Sequence, residues 1–195
     1  TIGNRAFHSS LISNVQFPNE LMTIINDNAF QNCSKLDLNG RTIKAGTIGD
    51  FAFADCPLVT GITVVAGSIG ESAFQCDPED SKTITSIQQI ITGTGDTAVY
   101  TPLSIGQYAF YGRTITMNPL VEYRELTINE FAFARCTFVP GNANSYGIKI
   151  VNKNSTKTIG DTAFYRTKLG SSTTKPFQLV IEDASTTSES TIGYH

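Results

Sequence analysis

The sequence predicts a repeat solenoid that is mostly β, in which short parallel strands alternate with short helical or 3₁₀ turns and stack in a right-handed spiral. Two observations lead to this fold class. One short motif, seen in full as "TIGDFAFADC" (47–56), recurs along the chain at intervals of about 23 residues. Between the copies, apolar and polar residues alternate, which is typical of half-buried strands.

The motif isoleucine sets the spacing of the repeat. Successive copies are 23, 23, 21, 36, 23, 31 and 33 residues apart, so a base period of 23 carries insertions in some coils. We expect one solenoid domain over residues 1–195 with about seven repeats, cut from a longer array because both ends fall inside a repeat. The motif isoleucines are Ile2, Ile25, Ile48, Ile69, Ile105, Ile128, Ile159 and Ile192.

Each motif position has a predicted role. Gly or Asn follows the isoleucine, which predicts a turn with positive φ at that residue. An acidic or amide side chain comes next and predicts the start of a short helical turn. A small Ala then allows neighbouring coils to approach, and the Phe after it is expected to stack into a continuous aromatic ladder. The ladder residues are Phe7, Phe30, Phe53, Phe74, Phe110, Phe133 and Phe164.

Strands are predicted between the motifs, where the alternation has period two. A second, very short strand is predicted at the Thr-Ile or Ser-Ile pair that begins each motif. The alternating segments are 14–18, 61–65, 114–119, 147–151 and 178–182, with less regular strands in "KLDLNG" (35–40) and "TSIQQII" (85–91). Their outward side chains are predicted to form one row of Gln16, Asp37, Thr63, Gln88, Thr116, Lys149 and Val180.

The motif "IGxxAFxxC" and the apolar spacing after it resemble the BspA-type leucine-rich repeats of bacterial and some protozoan surface proteins. The resemblance covers nearly the whole chain and is strongest in "IGDFAFADCPLVTGITVV" (48–65). It weakens where insertions lengthen the coils and where Arg113 replaces the usual Cys. It implies a solenoid on the cell surface or outside the cell, often in adhesins, and it offers no catalytic residues.

Composition and charge argue against several kinds of partner. Charged residues make up 16% of the chain and the net charge is −3, so no polybasic surface is available for nucleic acid or anionic lipid. No apolar run reaches the roughly 18 residues of a spanning helix, so we expect no membrane insertion. We expect a monomer.

Catalytic and metal chemistry find no support in the motifs. Three cysteines follow the motif Phe by three residues and Cys76 follows it by two, so we interpret them as buried thiols of the stack, although Cys56 could bridge to Cys33 or Cys76 in a neighbouring coil. Only His8 and His195 could join a cysteine in a zinc site, and neither lies at ligand spacing. We therefore predict no enzyme, no metal and no cofactor, and we interpret "GTGD" (93–96) as the tip of a hairpin.

The predicted function is recognition or adhesion, with a protein or glycan of a host or neighbouring cell as the partner. The alternative is a structural spacer or stalk that displays other domains. The outward strand row lacks aromatic residues, which favours contacts through the inserted loops at 77–82, 92–102, 141–146, 170–175 and 183–190. The candidate binding residues are Tyr100, Tyr123 and Tyr146 near the insertions, with Gln88 and Lys149 from the outward row.

Overall fold

A computed structural model of the chain describes residues 1–80, 82–117, 120–141, 146–152, 157–169, 177–183 and 190–192. It is a solenoid of stacked parallel strands, which confirms the predicted fold class. Within these ranges the only helices are two 3₁₀ turns, Pro78–Asp80 and Gly95–Thr97. Neither is long and apolar enough to cross a lipid bilayer.

The strands form one large parallel sheet, a second parallel sheet and a hairpin. They are β1 (Met22–Ile25), β2 (Thr42–Ile48), β3 (Ile62–Ile69), β4 (Thr83–Gln89), β5 (Ile91–Thr92), β6 (Val99–Tyr100), β7 (Leu103–Ile105), β8 (Thr114–Met117), β9 (Leu120–Arg124), β10 (Leu126–Ile128), β11 (Thr137–Pro140), β12 (Tyr146–Asn152), β13 (Lys157–Ile159), β14 (Lys168–Leu169), β15 (Phe177–Asp183) and β16 (Ser190–Ile192).

The large sheet divides at β3. The first part of β3 pairs with β4, and this branch continues through β8 and β11 to β14. The last residues of β3 pair with β7, and this branch continues through β10 and β13 to β16. The second sheet holds β9, β12 and β15, while β5 and β6 form the antiparallel hairpin. The later coils therefore contribute one strand to each of three parallel ladders.

The motif isoleucines stand in register from coil to coil. Each one pairs with the isoleucine of the next coil, from the bridge between Ile2 and Ile25 to the pair of Ile159 and Ile192. The insertions do not disturb this ladder, because Ile69 still pairs with Ile105 across the longest interval. The isoleucines therefore keep one register through all the described coils.

The predicted phenylalanine ladder is also present. Consecutive ring centroids lie 5.0 to 5.6 Å apart, and the ring planes are within 15° of parallel. The five inner rings are buried, while Phe7 and Phe164 at the two ends are partly buried. Stacked pairs of this kind each add about 0.5–1.5 kcal/mol to the free energy gained by burial.

The motif turns are runs of β-turns, and the predicted helical turn is wrong. The N–H of alternate residues donates to the next coil instead of along the chain: Asn28 to the carbonyl of Asp50 and Phe30 to that of Ala52, both at 2.8 Å. The acidic motif side chain likewise serves a neighbour, because the Asp27 carboxylate accepts the Asp50 N–H at 2.9 Å. Backbone groups that a helix would satisfy internally are therefore used to join the coils.

The position of the positive φ angle was also predicted wrongly. It falls two residues after the motif Gly or Asn, as at Asn28 with φ 55°, and again four residues later, as at Asn32 with φ 58°. The motif glycines serve close approach instead: a Cβ at Gly106 would lie 2.5 Å from the carbonyl carbon of Gly70. No real Cβ contact is that short, so the coils would have to separate.

The predicted outward row is not continuous. A register shift between Ile62 and Thr63 aligns Gln88 with Val65 rather than with Thr63. Lys149 and Val180 pair with each other in the second sheet and not in the large one. The row is divided because β2 and β3 are single long strands, whereas the later coils have separate strands that belong to different ladders.

Three predicted strand segments differ from the structure. Residues 14–18 and 35–40 contain no strand, although Val15, Phe17, Leu36 and Leu38 still pack against or within the core. Leu179 in β15, predicted to point inward, is 41% exposed. Apolar alternation therefore identifies the inward side of the early coils even where no ladder hydrogen bonds form.

Cysteine side chains tie three of the motifs to the coil before them. The thiols of Cys33, Cys56 and Cys136 each donate to the carbonyl of the motif Phe one coil earlier, at 2.9 Å. All four cysteines are buried and unbridged, as predicted. In the Ile105 coil, Arg113 takes this position: its Nε donates to the carbonyl of Phe74 at 2.5 Å and its Nη1 to that of Val59 at 2.6 Å.

Burial of these thiols predicts a loss of stability in alkali. Burial raises the pKa of Cys56 from 9.0 to about 12, and it also raises the pKa values of Cys33, Cys136 and Tyr123. Each group is neutral when protonated and ionises first in the unfolded chain, so its contribution is complete below pH 9 and falls as the pH rises above it. For Cys56 we expect a loss of about 1.4 kcal/mol per pH unit between pH 9 and its raised pKa.

Urea unfolding between pH 7 and pH 11 measures this slope. The control is Cys56→Ser, which keeps a donor for the carbonyl of Phe30 but removes one titrating group. Its free energy of unfolding should fall less steeply with pH than that of the unmodified chain. Equal slopes would contradict a raised pKa for the Cys56 thiol.

Candidate functional site

The insertion after β4 folds into an exposed hairpin. We define the hairpin as residues 91–100, in which Ile91 pairs with Tyr100 and Thr92 with Val99. The predicted tip at 93–96 is confirmed, since the chain turns there through Gly93 and Gly95 at positive φ. Ile91 is 52% exposed and Val99 is 62% exposed. Two large aliphatic side chains are thus presented to solvent on one short projection.

The base of the hairpin is fixed to β9 by the side chain of Gln89. This side chain is 6% exposed, and its Nε2 donates to the carbonyl of Thr101 at 2.6 Å and also to the carbonyl of Arg124. Its Oε1 accepts the N–H of Arg124 at 2.9 Å. The N–H of Thr101 donates to the carbonyl of Ile90 at 2.9 Å and closes the hairpin. A single buried amide therefore connects three segments.

Tyr100 strengthens the same connection. The guanidinium carbon of Arg124 lies 4.2 Å from the centroid of its ring, a cation–π contact worth about 0.5–2 kcal/mol. One face of the ring is therefore covered by the protein itself. Tyr100 is partly buried and acts as a brace for the hairpin, with its remaining edge available to solvent.

Tyr123 lies in the core and not at the surface where the sequence placed it. Its side chain is 3% exposed, and its hydroxyl donates to the carbonyl of Ile87 in β4 at 2.7 Å. Burial raises the pKa of this hydroxyl. Tyr123 thus supports the hairpin from inside by joining β9 to the strand that leads into it.

The other candidate residues are distributed over the two parallel sheets. Gln88 is exposed in β4 beside the hairpin and donates to the hydroxyl of Ser86 at 3.2 Å. Lys149 is half-buried in β12, where its backbone pairs with Glu122. Tyr146 begins β12, and its side chain lies outside the described residues. The structure therefore brings Tyr100, Tyr123 and Gln88 to one hairpin base.

A second surface was missed in the sequence. We call it the turn-face cluster, and it consists of Tyr108, Tyr111, Phe131, Arg135, Tyr165 and Arg166. Tyr108 and Phe131 stack with centroids 4.9 Å apart and planes 9° from parallel. Tyr111 meets Tyr108 edge-on at 5.9 Å, and Tyr165 meets Phe131 edge-on at 6.0 Å. The cluster spans the motif turns of three successive coils.

Two exposed arginines complete the cluster. The guanidinium carbon of Arg135 lies 5.9 Å from the ring centroid of Tyr111, and that of Arg166 lies 5.2 Å from that of Tyr165. Neither arginine forms an ion pair with a carboxylate of the described residues. These residues occupy positions of the motif that vary from repeat to repeat. Comparing the repeats therefore does not single them out, although all of them are visible in the sequence.

The cluster includes residues in a costly backbone conformation. Tyr108, Phe131, Arg135 and Arg166 have φ between 52° and 55°. For side chains with a Cβ, the left-handed region costs roughly 1–2 kcal/mol per residue, and Gly or Asn is the usual choice. The Ile25 coil makes the same turns with Asn28 and Asn32.

The described residues offer contact surfaces rather than a metal centre. No group of three or more His, Cys, Asp or Glu side chains within them is placed to hold a metal ion. The two surfaces that stand out are the hairpin, with its exposed aliphatic side chains, and the turn-face cluster, with its aromatic and cationic ones.

Comparison with known proteins supports the repeat assignment. The family model described as "BspA type leucine rich repeat region" matches residues 1–101 and 103–184, in six copies. Searches of curated proteins and of solved structures returned no match to this chain. The family match covers most of the sequence and agrees with the isoleucine and phenylalanine ladders. This chain therefore belongs to the BspA-type leucine-rich repeat family.

Proposed function

We propose that this chain is a non-enzymatic recognition module of a surface or secreted protein, and that it binds a partner protein through the hairpin. Proteins of this family are generally associated with cell surfaces and adhesion, and repeat solenoids of this kind are typically binding scaffolds. Inserted loops of a solenoid commonly carry the function that the repeated frame does not need.

The observation that carries this proposal is an exposed hairpin on a fixed base. Ile91 and Val99 project from strands that Gln89 and Arg124 hold in place. Their burial against a partner would remove apolar area from water, and the preformed base would limit the entropy lost on binding. A loop with no such support would lose more entropy on association.

The side chains of the hairpin favour a protein over a glycan. Sugars are held by open aromatic faces and by arrays of polar groups, whereas one face of Tyr100 is covered by Arg124. The most exposed groups of the hairpin are aliphatic, which suits an apolar depression on a protein.

Bead adhesion tests the proposal. Beads coated with the chain are counted on layers of animal cells and of bacteria, with and without protease treatment of the cells. We expect adhesion that protease abolishes and glycosidases do not. The double variant Ile91→Thr, Val99→Thr keeps β-branched residues in both strands and should lower adhesion by about tenfold or more.

The matched control is Thr63→Ala, Thr116→Ala on the large sheet, which should adhere like the unmodified chain. A loss in this control with an unaffected hairpin variant would move the site to the sheet. Adhesion that survives protease would point to a glycan. Beads that bind neither cell type would refute recognition and favour the spacer role.

A further inference from the structure

We infer that the turn-face cluster is a second binding surface, separate from the hairpin, and that it takes an acidic segment of a partner protein. The cluster lies on the motif turns, whereas the hairpin is an insertion between β4 and β7. The inference therefore does not depend on what the hairpin binds.

The fold does not require the aromatic residues of this cluster. Tyr108 and Phe131 occupy the motif position that Asn28 fills in the Ile25 coil and Ser72 fills in the Ile69 coil. All of these residues have φ between 50° and 55°, so the same turn is made with small polar side chains elsewhere. The Ile48 coil also carries a ring here, Phe51, but only the adjacent Ile105 and Ile128 coils place two rings of this position in a stacked pair. Positive φ is common to this position in all the described motif turns, so the side chains, and not the backbone conformation, distinguish the cluster.

The two arginines of the cluster sit side by side on adjacent coils. The N–H of Arg135 donates to the carbonyl of Tyr165 at 2.7 Å, which places Arg135 beside Arg166 in the stack. Parallel neighbours of this type are about 4.8 Å apart, close enough for both guanidinium groups to reach one extended anionic segment. The acidic residues of these two motif turns, Glu130 and Asp161, come five residues earlier and form no ion pair with either arginine.

The arrangement of the rings selects a protein partner. Tyr108 and Phe131 face each other, and the guanidinium groups lie over Tyr111 and Tyr165, so one face of each ring is engaged within the cluster and less ring surface is open to stack on a sugar. What remains is a mixture of ring edges, hydroxyl groups and cations. Tyr and Arg together are the residues most often found at the centres of protein interfaces.

Fluorescence anisotropy with labelled probes tests this inference. The probes are a decaglutamate peptide, a decalysine peptide and a sulfated oligosaccharide of similar charge, at about 50 mM salt, where exposed charges are only partly screened. We expect the decaglutamate to bind, the decalysine not to bind, and the sulfated oligosaccharide to bind more weakly than the decaglutamate. The double variant Arg135→Gln, Arg166→Gln should bind decaglutamate about tenfold more weakly or worse.

Two further variants separate charge and ring contributions from general effects. Arg5→Gln, Arg41→Gln removes two exposed arginines of other coils and should leave binding unchanged. Tyr108→Asn, Phe131→Asn should weaken binding about threefold or more while the chain stays folded, since Asn28 makes the same turn. Three results would overturn the inference: the Arg135→Gln, Arg166→Gln variant binds decaglutamate as tightly as the unmodified chain, the oligosaccharide binds more tightly than decaglutamate, or decaglutamate does not bind.

Discussion

Replacing Phe53 by Ala should lower the free energy of unfolding by about 3–5 kcal/mol, the range for truncation of a buried Phe. The ring is fully buried and stacks between Phe30 and Phe74 with centroids 5.1 and 5.3 Å away. Phe17 also contacts it edge-on at 6.2 Å. Its removal leaves a cavity in the centre of the stack and interrupts the ladder on both sides. Urea unfolding followed by far-ultraviolet circular dichroism measures the loss.

Phe7→Ala is the matched control for this prediction. Phe7 stacks on Phe30 alone, at 5.0 Å, and is partly exposed at the end of the ladder. We expect this variant to lose about 1–2 kcal/mol, because a half-buried ring gains less from burial. Similar small losses of unfolding free energy in both variants would contradict a continuous ladder in which each inner ring stacks on two neighbours.

The two ladders could be predicted because they depend on residues that are nearly invariant within the chain itself. An Ile and a Phe at fixed distances in every repeat must occupy equivalent places in stacked coils, whatever the backbone does between them. Period-two alternation also predicted which side chains of β3 and β12 point inward, and these are buried: Ile62, Val64, Ile148 and Ile150. These features rest on burial, and burial is what hydrophobic periodicity reports.

The turns could not be read correctly because their hydrogen bonds run between coils. An acidic residue after Gly suggests a helix cap when only local partners are considered. Here Asp27 accepts the N–H of Asp50, which is 23 residues away. Local sequence contains the donor and the acceptor types but not their pairing. The glycine was misread for the same reason, since its neighbour in space is another coil.

The candidate site was predicted only in part. An interval longer than the base repeat implied a projection near residues 92–102, and the hairpin is there. Its attachment through Gln89 could not be foreseen, because this side chain joins Thr101 and Arg124 across segments of unrelated spacing. The turn-face cluster was hidden because its members differ between repeats. Positions that vary within a repeat can still meet in space when coils stack in register.

Replacing Gly106 by Ala should lower the free energy of unfolding by about 1–3 kcal/mol, the usual cost of overpacking. A Cβ at this residue would lie 2.5 Å from the carbonyl carbon of Gly70, 2.7 Å from its oxygen and 2.8 Å from the N–H nitrogen of Glu71. All three are backbone atoms, so no side chain can rotate away. The coils must separate locally, which weakens the hydrogen bond from Gly106 to the carbonyl of Ile69, 2.7 Å long.

Two variants show whether close approach is the cause. Gly3→Ala is made at the same motif position in the first coil, where a Cβ would meet no atom within 4 Å, and should be nearly neutral. Gly106→Asn should lose less than Gly106→Ala, because Asn129 occupies this position in the next coil and its side-chain amide donates to the carbonyl of Ile105 at 3.0 Å. In Gly106→Asn, the cost of moving the backbone to admit a Cβ is thus partly offset by a new side-chain hydrogen bond between coils. Equal losses for Gly3→Ala and Gly106→Ala would contradict close approach of the coils as the cause. A greater loss for Asn than for Ala would show that the amide bond of Asn129 does not stabilise its coil.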